Sequence, residues 1–120
     1  MADINFTALA SKLPANAITF ANGDATVSIK TVMGEASVAA SDQKVGEFLA
    51  KLLDACGLAQ NDHNAVNTPK FRSYNAPATS APFRNPITGI YASTFTYSLS
   101  VNIPLNRDTV DAVETTVSDF

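Results

Sequence analysis

The feature that most restricts how this chain can fold is a two-residue alternation over residues 90–103. Tyr91, Ser93, Phe95, Tyr97, Leu99, Val101 and Ile103 fall on one side, and Ile90, Ala92, Thr94, Thr96, Ser98, Ser100 and Asn102 on the other. Successive side chains of a strand point to opposite faces, so this period predicts a β-strand with one mostly apolar face and one of small hydroxyls and amides. At about 3.3 Å per residue a single strand would run beyond roughly 40 Å, longer than a domain of this size needs. The pattern is equally compatible with two shorter strands joined by a bulge. A strand that outruns its own domain offers its free edge to another copy.

Such a strand needs partners and a cover. Ile18-Thr19-Phe20 precedes Ala21-Asn22-Gly23-Asp24, and Asn-Gly accepts the positive φ that a type I′ hairpin demands at both central positions. Residues 25–32 alternate and predict a second strand, Gly34-Glu35 a second turn, residues 36–40 a weaker third strand and residues 71–74 a short fourth. The cover is a helix predicted over 42–56. Val45, Phe48, Leu49, Leu52, Leu53 and Cys56 form one apolar stripe, with Ser41 as N-cap, Asp42 at the positive end of the dipole and Gly57 as the stop. Residues 59–69 read as polar loop.

Residues 75–89 hold Pro77, Pro82, Pro86 and Gly89, which argue against regular structure there. Residues 3–13 predict a short amphipathic helix ended by Pro14, or an arm that docks on a neighbour. Asn106 or Asp108 can cap a short C-terminal helix carrying Val110, Val113 and Val117. The expected fold is α+β: an antiparallel sheet of about four or five strands, helix 42–56 packed on one face, and a short C-terminal helix, all in one domain over residues 1–120.

Composition narrows the function classes. Charged residues make up only 16% of the 120 residues, so Ser, Thr, Asn and Ala must supply much of the surface, and a charge-poor surface is less protected against self-association. The net charge of −3 provides no electrostatic footprint for nucleic acid. Of the scattered basic residues only Lys70, Arg72 and Arg84 lie near one another. They could form a local strip, though basic residues on a strand ordinarily solvate its outer face. With Cys56 alone, no intrachain disulfide can form. Met1-Ala2-Asp3 lacks the positive and apolar regions of a signal peptide, and no apolar run is long enough for a membrane span. The expectation is a cytoplasmic location, or a particle assembled there, in which the Asn5-Phe6-Thr7 sequon is irrelevant.

Chemistry is sparse. His63, in Asp62-His63-Asn64, could act as a base or help hold a cation, yet nothing in the sequence marks an orienting acid or an oxyanion site. Its ordinary reading is an exposed loop histidine. Cys56 sits near a helix C-terminus on the apolar stripe, where a buried core thiol is expected rather than a nucleophile. The five glycines are dispersed and form no phosphate loop. Asp108, Asp111 and Glu114 share a helical face that reads as solvated. Tyr91, Phe95 and Tyr97 have the spacing of a stacking platform, but their face continues into Leu99, Val101 and Ile103, which predicts core, with exposure allowed for Tyr91 at the strand's entry. No catalytic residue, cofactor or metal is expected.

Over the final strand, Ile103-Pro104 and the short capped helix after it, the chain resembles the end of small RNA-phage coat proteins. The mid-chain helix departs from that family's pattern, and its basic RNA-binding strand surface is not evident. The resemblance implies a shell subunit, with nucleic acid a partner only in that case. The expectation from the residues is a non-enzymatic structural subunit that self-assembles, with no membrane partner. Its candidate interaction surface is Lys70, Arg72, Arg84, Tyr91, Thr94, Thr96 and Ser98. The alternative expectations are a small ligand- or protein-binding module, and an enzyme with a site of scattered loop residues that include His63.

Overall fold

The computed structural model describes residues 3–103. The expected C-terminal helix and the carboxylates Asp108, Asp111 and Glu114 lie outside them. The described chain mixes helix and sheet, in an order set by local signals at each junction.

Helix α1 (Phe6–Ser11) starts at Asn5, whose side chain accepts the Ala8 N–H at 2.8 Å. Strands β1 (Ile18–Ala21) and β2 (Asp24–Val27) pair antiparallel, with Ile18 opposite Val27 and Ala21 opposite Asp24. Asn22 and Gly23 turn the hairpin at φ of 54° and 72°, both positive as a type I′ turn requires.

The strand expected over 25–32 ends at Val27, and helix α2 (Ile29–Met33) replaces its second half. Ser28 and Thr31 share a 2.9 Å hydroxyl hydrogen bond across the first turn. Gly34, left-handed at φ 69°, stops the helix and lets Glu35 donate its N–H to the Lys30 carbonyl. Ile29, Val32 and Met33 carry a helical repeat that overrides the two-residue one, and Val32 and Met33 are buried where α2 packs on α3.

The expected third strand at 36–40 is absent. Asp42 accepts the Ala39 N–H at 2.8 Å and returns its own N–H to the Ala39 carbonyl, which makes a turn there. That turn holds Asp42 outside the helix, so α3 begins at Val45 rather than 42, and Ser41 does not cap it. Helix α3 (Val45–Val66) also runs straight through Gly57 and absorbs most of the predicted 59–69 loop.

Four short strands follow: β3 (Ala78–Thr79), β4 (Phe83–Arg84), β5 (Tyr91–Ala92) and β6 (Phe95–Thr96). Instead of one sheet of four or five strands, the described residues form three antiparallel pairs: β1 with β2, β3 with β6, and β4 with β5. Among the described residues α1 and α2, rather than a sheet, make the main packing on α3. The buried apolar residues are few and small, with Ala17, Val32, Met33, Ala55, Cys56 and Ala59 as the core. Ala55, Cys56 and Ala59 let neighbours approach the middle of α3, and Cys56 is buried as expected. The N-terminal part of its stripe is uncovered: Val45 is 69% exposed and Leu49 50%.

Candidate functional site

Residues 73–100 form one long hairpin, hereafter the arm. At its tip Asn85 caps the turn: its side-chain oxygen accepts the Ile87 N–H at 2.9 Å, and its carbonyl accepts the Gly89 N–H at 2.8 Å. Gly89 takes φ 73°, and the Asn85 N–H donates to the Ile90 carbonyl. Pairing then descends through Arg84 opposite Tyr91, Phe83 opposite Ala92, Thr79 opposite Phe95, Ala78 opposite Thr96, and a bridge between Tyr74 and Leu99.

The register slips twice. From Tyr74 to Ala78 the first strand advances four residues while the second moves three, from Leu99 to Thr96; the same mismatch separates Thr79–Phe95 from Phe83–Ala92. Each extra residue lies in the stretch that holds Pro77 or Pro82. Proline has no N–H for the ladder and is tolerated at bulges, so these prolines interrupt the hairpin without abolishing it. At the second bulge the Ser80 hydroxyl stands in for backbone and accepts the Thr94 N–H at 2.7 Å, while the Ser80 N–H donates to the Thr94 carbonyl at 2.9 Å. The expected strand over 90–103 is therefore two short strands. The expected loop over 75–89 contains their partners.

The arm is anchored to α3 by side-chain amides. Gln60 donates to the Tyr74 carbonyl at 2.7 Å and accepts the Tyr74 N–H at 3.0 Å. One turn later, Asn64 donates to the Phe71 carbonyl at 2.9 Å and accepts the Phe71 N–H at 2.7 Å. Two amides at i and i+4 thus serve the incoming chain as a neighbouring strand would. His63, between them, lies on α3 and not in an exposed loop. Its ring stacks on Phe71 at 3.6 Å between centroids and 12° between planes.

Tyrosine hydroxyls complete the anchor. Tyr74 donates to Asp3 at 2.8 Å and Tyr97 to Asp54 at 2.9 Å. Burial, then the hydrogen bond to Asp3, pushes the Tyr74 hydroxyl well above its ordinary pKa, and burial with the Asp54 contact raises Tyr97. The Cys56 thiol is raised chiefly by burial, partly offset by Tyr74. A raised, buried thiol is the opposite of an activated nucleophile. Among the described residues no group of three or more His, Cys, Asp or Glu is placed to hold a metal ion, and no helix is long and apolar enough to cross a membrane.

All seven candidate surface residues lie on the arm or the segment leading into it, and all are exposed. Lys70 and Arg72 lie at its base, Arg84 faces Tyr91 across the strands, and Thr94, Thr96 and Ser98 follow one another on the second strand. Ser98 accepts a 3.0 Å hydrogen bond from Asn75. The expectation that this strand face is core fails for Phe95, which is 55% exposed with Leu99, Val101 and Ile103 exposed beside it, whereas Tyr91, a candidate surface residue at the strand's entry, is 71% exposed. Among the described residues nothing covers that face. Ile87 at the tip is 92% exposed. Sequence reading missed the tip's apolar character and the Gln60 and Asn64 anchors; their i, i+4 spacing was visible, their backbone partners were not.

The body carries a complementary feature. Phe6, Leu9, Phe20, Val27 and Leu52 line an open groove of about 710 Å³ between α1, the β1–β2 hairpin and α3, with Asp24 at its rim and no basic side chain. A second groove, of about 550 Å³ between β2, α2 and the start of α3, includes Lys30 and Lys44. Lys44 is paired to Glu35 at 2.7 Å and Lys12 to Asp62. No protein-family model, curated protein or solved structure matches this chain.

Proposed function

We propose that this chain is a non-enzymatic structural subunit that assembles with copies of itself into a homo-oligomer or a larger, coat-like particle. The observation that carries the reading is the arm: a two-stranded hairpin with Phe83, Ile87, Ile90, Tyr91 and Phe95 all exposed. A lone two-stranded hairpin is marginal in water, and contiguous exposed apolar surface marks an interaction site. Among the described residues each of the three strand pairs also has open edges that a neighbour can extend. In this proposal the four- or five-stranded sheet expected from the sequence is completed by strands of other copies. The same holds for the α3 stripe, whose Val45 and Leu49 no described residue covers and which, in this proposal, another copy covers. The partners are other copies, nucleic acid enters only as the content of a shell, and the location is the cytoplasm or a particle assembled there.

A second reading, a small ligand- or protein-binding module, is supported by the groove of about 550 Å³, a volume within the range of small-molecule sites. The measurement that separates the two is the solution mass by size-exclusion chromatography with light scattering, with absorbance read at the protein and nucleic-acid maxima. Assembly gives a mass many times the 12.6 kDa of the chain, and excess nucleic-acid absorbance on that peak marks a filled shell. A monomer at all concentrations refutes assembly and directs attention to ligand screening, where binding would raise thermal stability.

A further inference from the structure

Charge is partitioned along the chain. Residues 3–62 carry seven carboxylates against four lysines, a net of −3. Residues 63–103 hold no carboxylate at all, while Lys70, Arg72 and Arg84 give that stretch +3. The body is acidic, the arm and the segment leading into it are basic, and both carry exposed apolar surface. On the arm, Tyr91 and Phe95 are exposed with Arg84 directly across from Tyr91. On the body, the groove of Phe6, Leu9, Phe20 and Leu52 is rimmed by Asp24, which makes no ion pair among the described residues.

We infer that the arm of one copy seats in the Asp24-rimmed groove of the next, with Tyr91 and Phe95 entering the groove and Arg84 meeting Asp24. This rests on the self-assembly reading above and names its contact. The occupant is a second copy because the complementary charge is in the same chain. Arm-to-arm pairing would set Arg84, Arg72 and Lys70 against their own kind with no acid to offset them, and like charges across an interface are strongly disfavoured. The other groove draws a basic arm less, because its carboxylates Glu35 and Asp42 are matched by Lys30 and Lys44, with Lys44 already paired to Glu35. An arm-to-groove contact joins two different surfaces, so it is head-to-tail: each copy gives one arm and receives one, and copies propagate into a ring, a shell or a filament.

The test uses two variants of the full chain. The arm variant is Arg84→Glu with Tyr91→Ser; the groove variant is Asp24→Lys with Phe20→Ser. All four positions are exposed, and circular dichroism checks that each variant is folded. Each alone is expected to associate at least ~100-fold more weakly than the parent chain. Mixed, the two are expected to form a 1:1 dimer that grows no further, because one sound arm meets one sound groove. Arg84→Glu combined with Asp24→Lys in one chain is expected to recover assembly that either change alone weakens. If a double variant does not fold, the charge-only changes Arg84→Gln and Asp24→Asn carry the same comparison at smaller amplitude. A groove variant that still forms the parent particle, or a mixture that stays monomeric while the parent chain assembles, overturns the arm-to-groove contact and leaves self-assembly standing. A parent chain that is monomeric throughout overturns both.

Discussion

Gln60→Ala removes the anchor that joins the arm to α3, and its cost follows from the two hydrogen bonds it breaks. Gln60 is 7% exposed and holds both backbone groups of Tyr74, at 2.7 and 3.0 Å. The second strand offers Tyr74 no replacement, because the ladder bond beside it runs from the Ser100 N–H to the Ser73 carbonyl. Truncation therefore leaves one donor and one acceptor unpaired in a partly buried place. At about 1–3 kcal/mol for each unsatisfied group, less what water recovers, the expected loss is ~2–4 kcal/mol, or roughly 10 °C in Tm for a chain of this size. Gln60→Met keeps the volume and should cost nearly as much, since packing is not what is lost. Gln60→Glu supplies a sign test. Its carboxylate can accept the Tyr74 N–H but opposes the Tyr74 carbonyl, so the folded state favours the protonated acid and raises its pKa. Stability is then closest to the parent below about pH 4, the unfolded carboxyl's range, and falls as pH rises through the higher folded value. The assay is urea denaturation by circular dichroism at one fixed protein concentration, since assembly makes stability concentration-dependent, together with hydrogen exchange at the Tyr74 amide. A Gln60→Ala loss below ~0.5 kcal/mol with unchanged Tyr74 protection would refute the reasoning, because exposed amides cost about that little.

Two further outcomes follow from the same geometry. Cys56, Tyr74 and Tyr97 all have raised pKa values in the folded chain, so the stability they contribute is complete below their unfolded values and is lost as pH rises through the folded ones. Thermal melts should hold level to about pH 8.5, the free thiol's value, and decline through pH 10 and above, with Tyr74→Phe flattening the upper part of the decline. Gly34 and Gly57 should respond to alanine with opposite signs. Gly34 sits at φ 69°, so Ala there costs roughly 1 kcal/mol of backbone strain although no atom obstructs its Cβ; Gly57 lies inside α3 with open space around it, so Ala there should gain roughly 0.5–1 kcal/mol. Chemical denaturation of both variants reads the two signs directly.

What the sequence made legible were the elements whose cause is local. The β1–β2 hairpin follows from Asn22-Gly23 because two adjacent residues at positive φ determine a type I′ turn. The central helix was legible in its middle and misplaced at both ends. Its start depends on Asp42 reaching back to Ala39, and its continuation past Gly57 depends on Gln60 and Asn64 finding backbone partners at residues 74 and 71, contacts that periodicity cannot report. By sequence alone the prolines of residues 75–89 argue against a sheet. Instead Pro77 and Pro82 fall in the stretches where the register slips by one residue, and bulge from interruption is indistinguishable until the opposite strand is known.

The alternation over 90–103 has the longest reach. It does mark two faces, but period two says only that one face is apolar, not what removes it from water. Burying Tyr91 and Phe95 against their own chain or against another copy gains about the same 25 cal/mol per Å² of apolar surface. In the described chain no such cover exists, and the two residues stand exposed opposite Arg84 and Thr79 on an arm without a single carboxylate. A pattern that predicts a core strand in a monomer predicts an interface strand in an assembly. Under the self-assembly proposal, the absence of acid from residues 63–103 and the excess of it in residues 3–62 favour the Asp24-rimmed body groove as the part of the next copy that covers Tyr91 and Phe95.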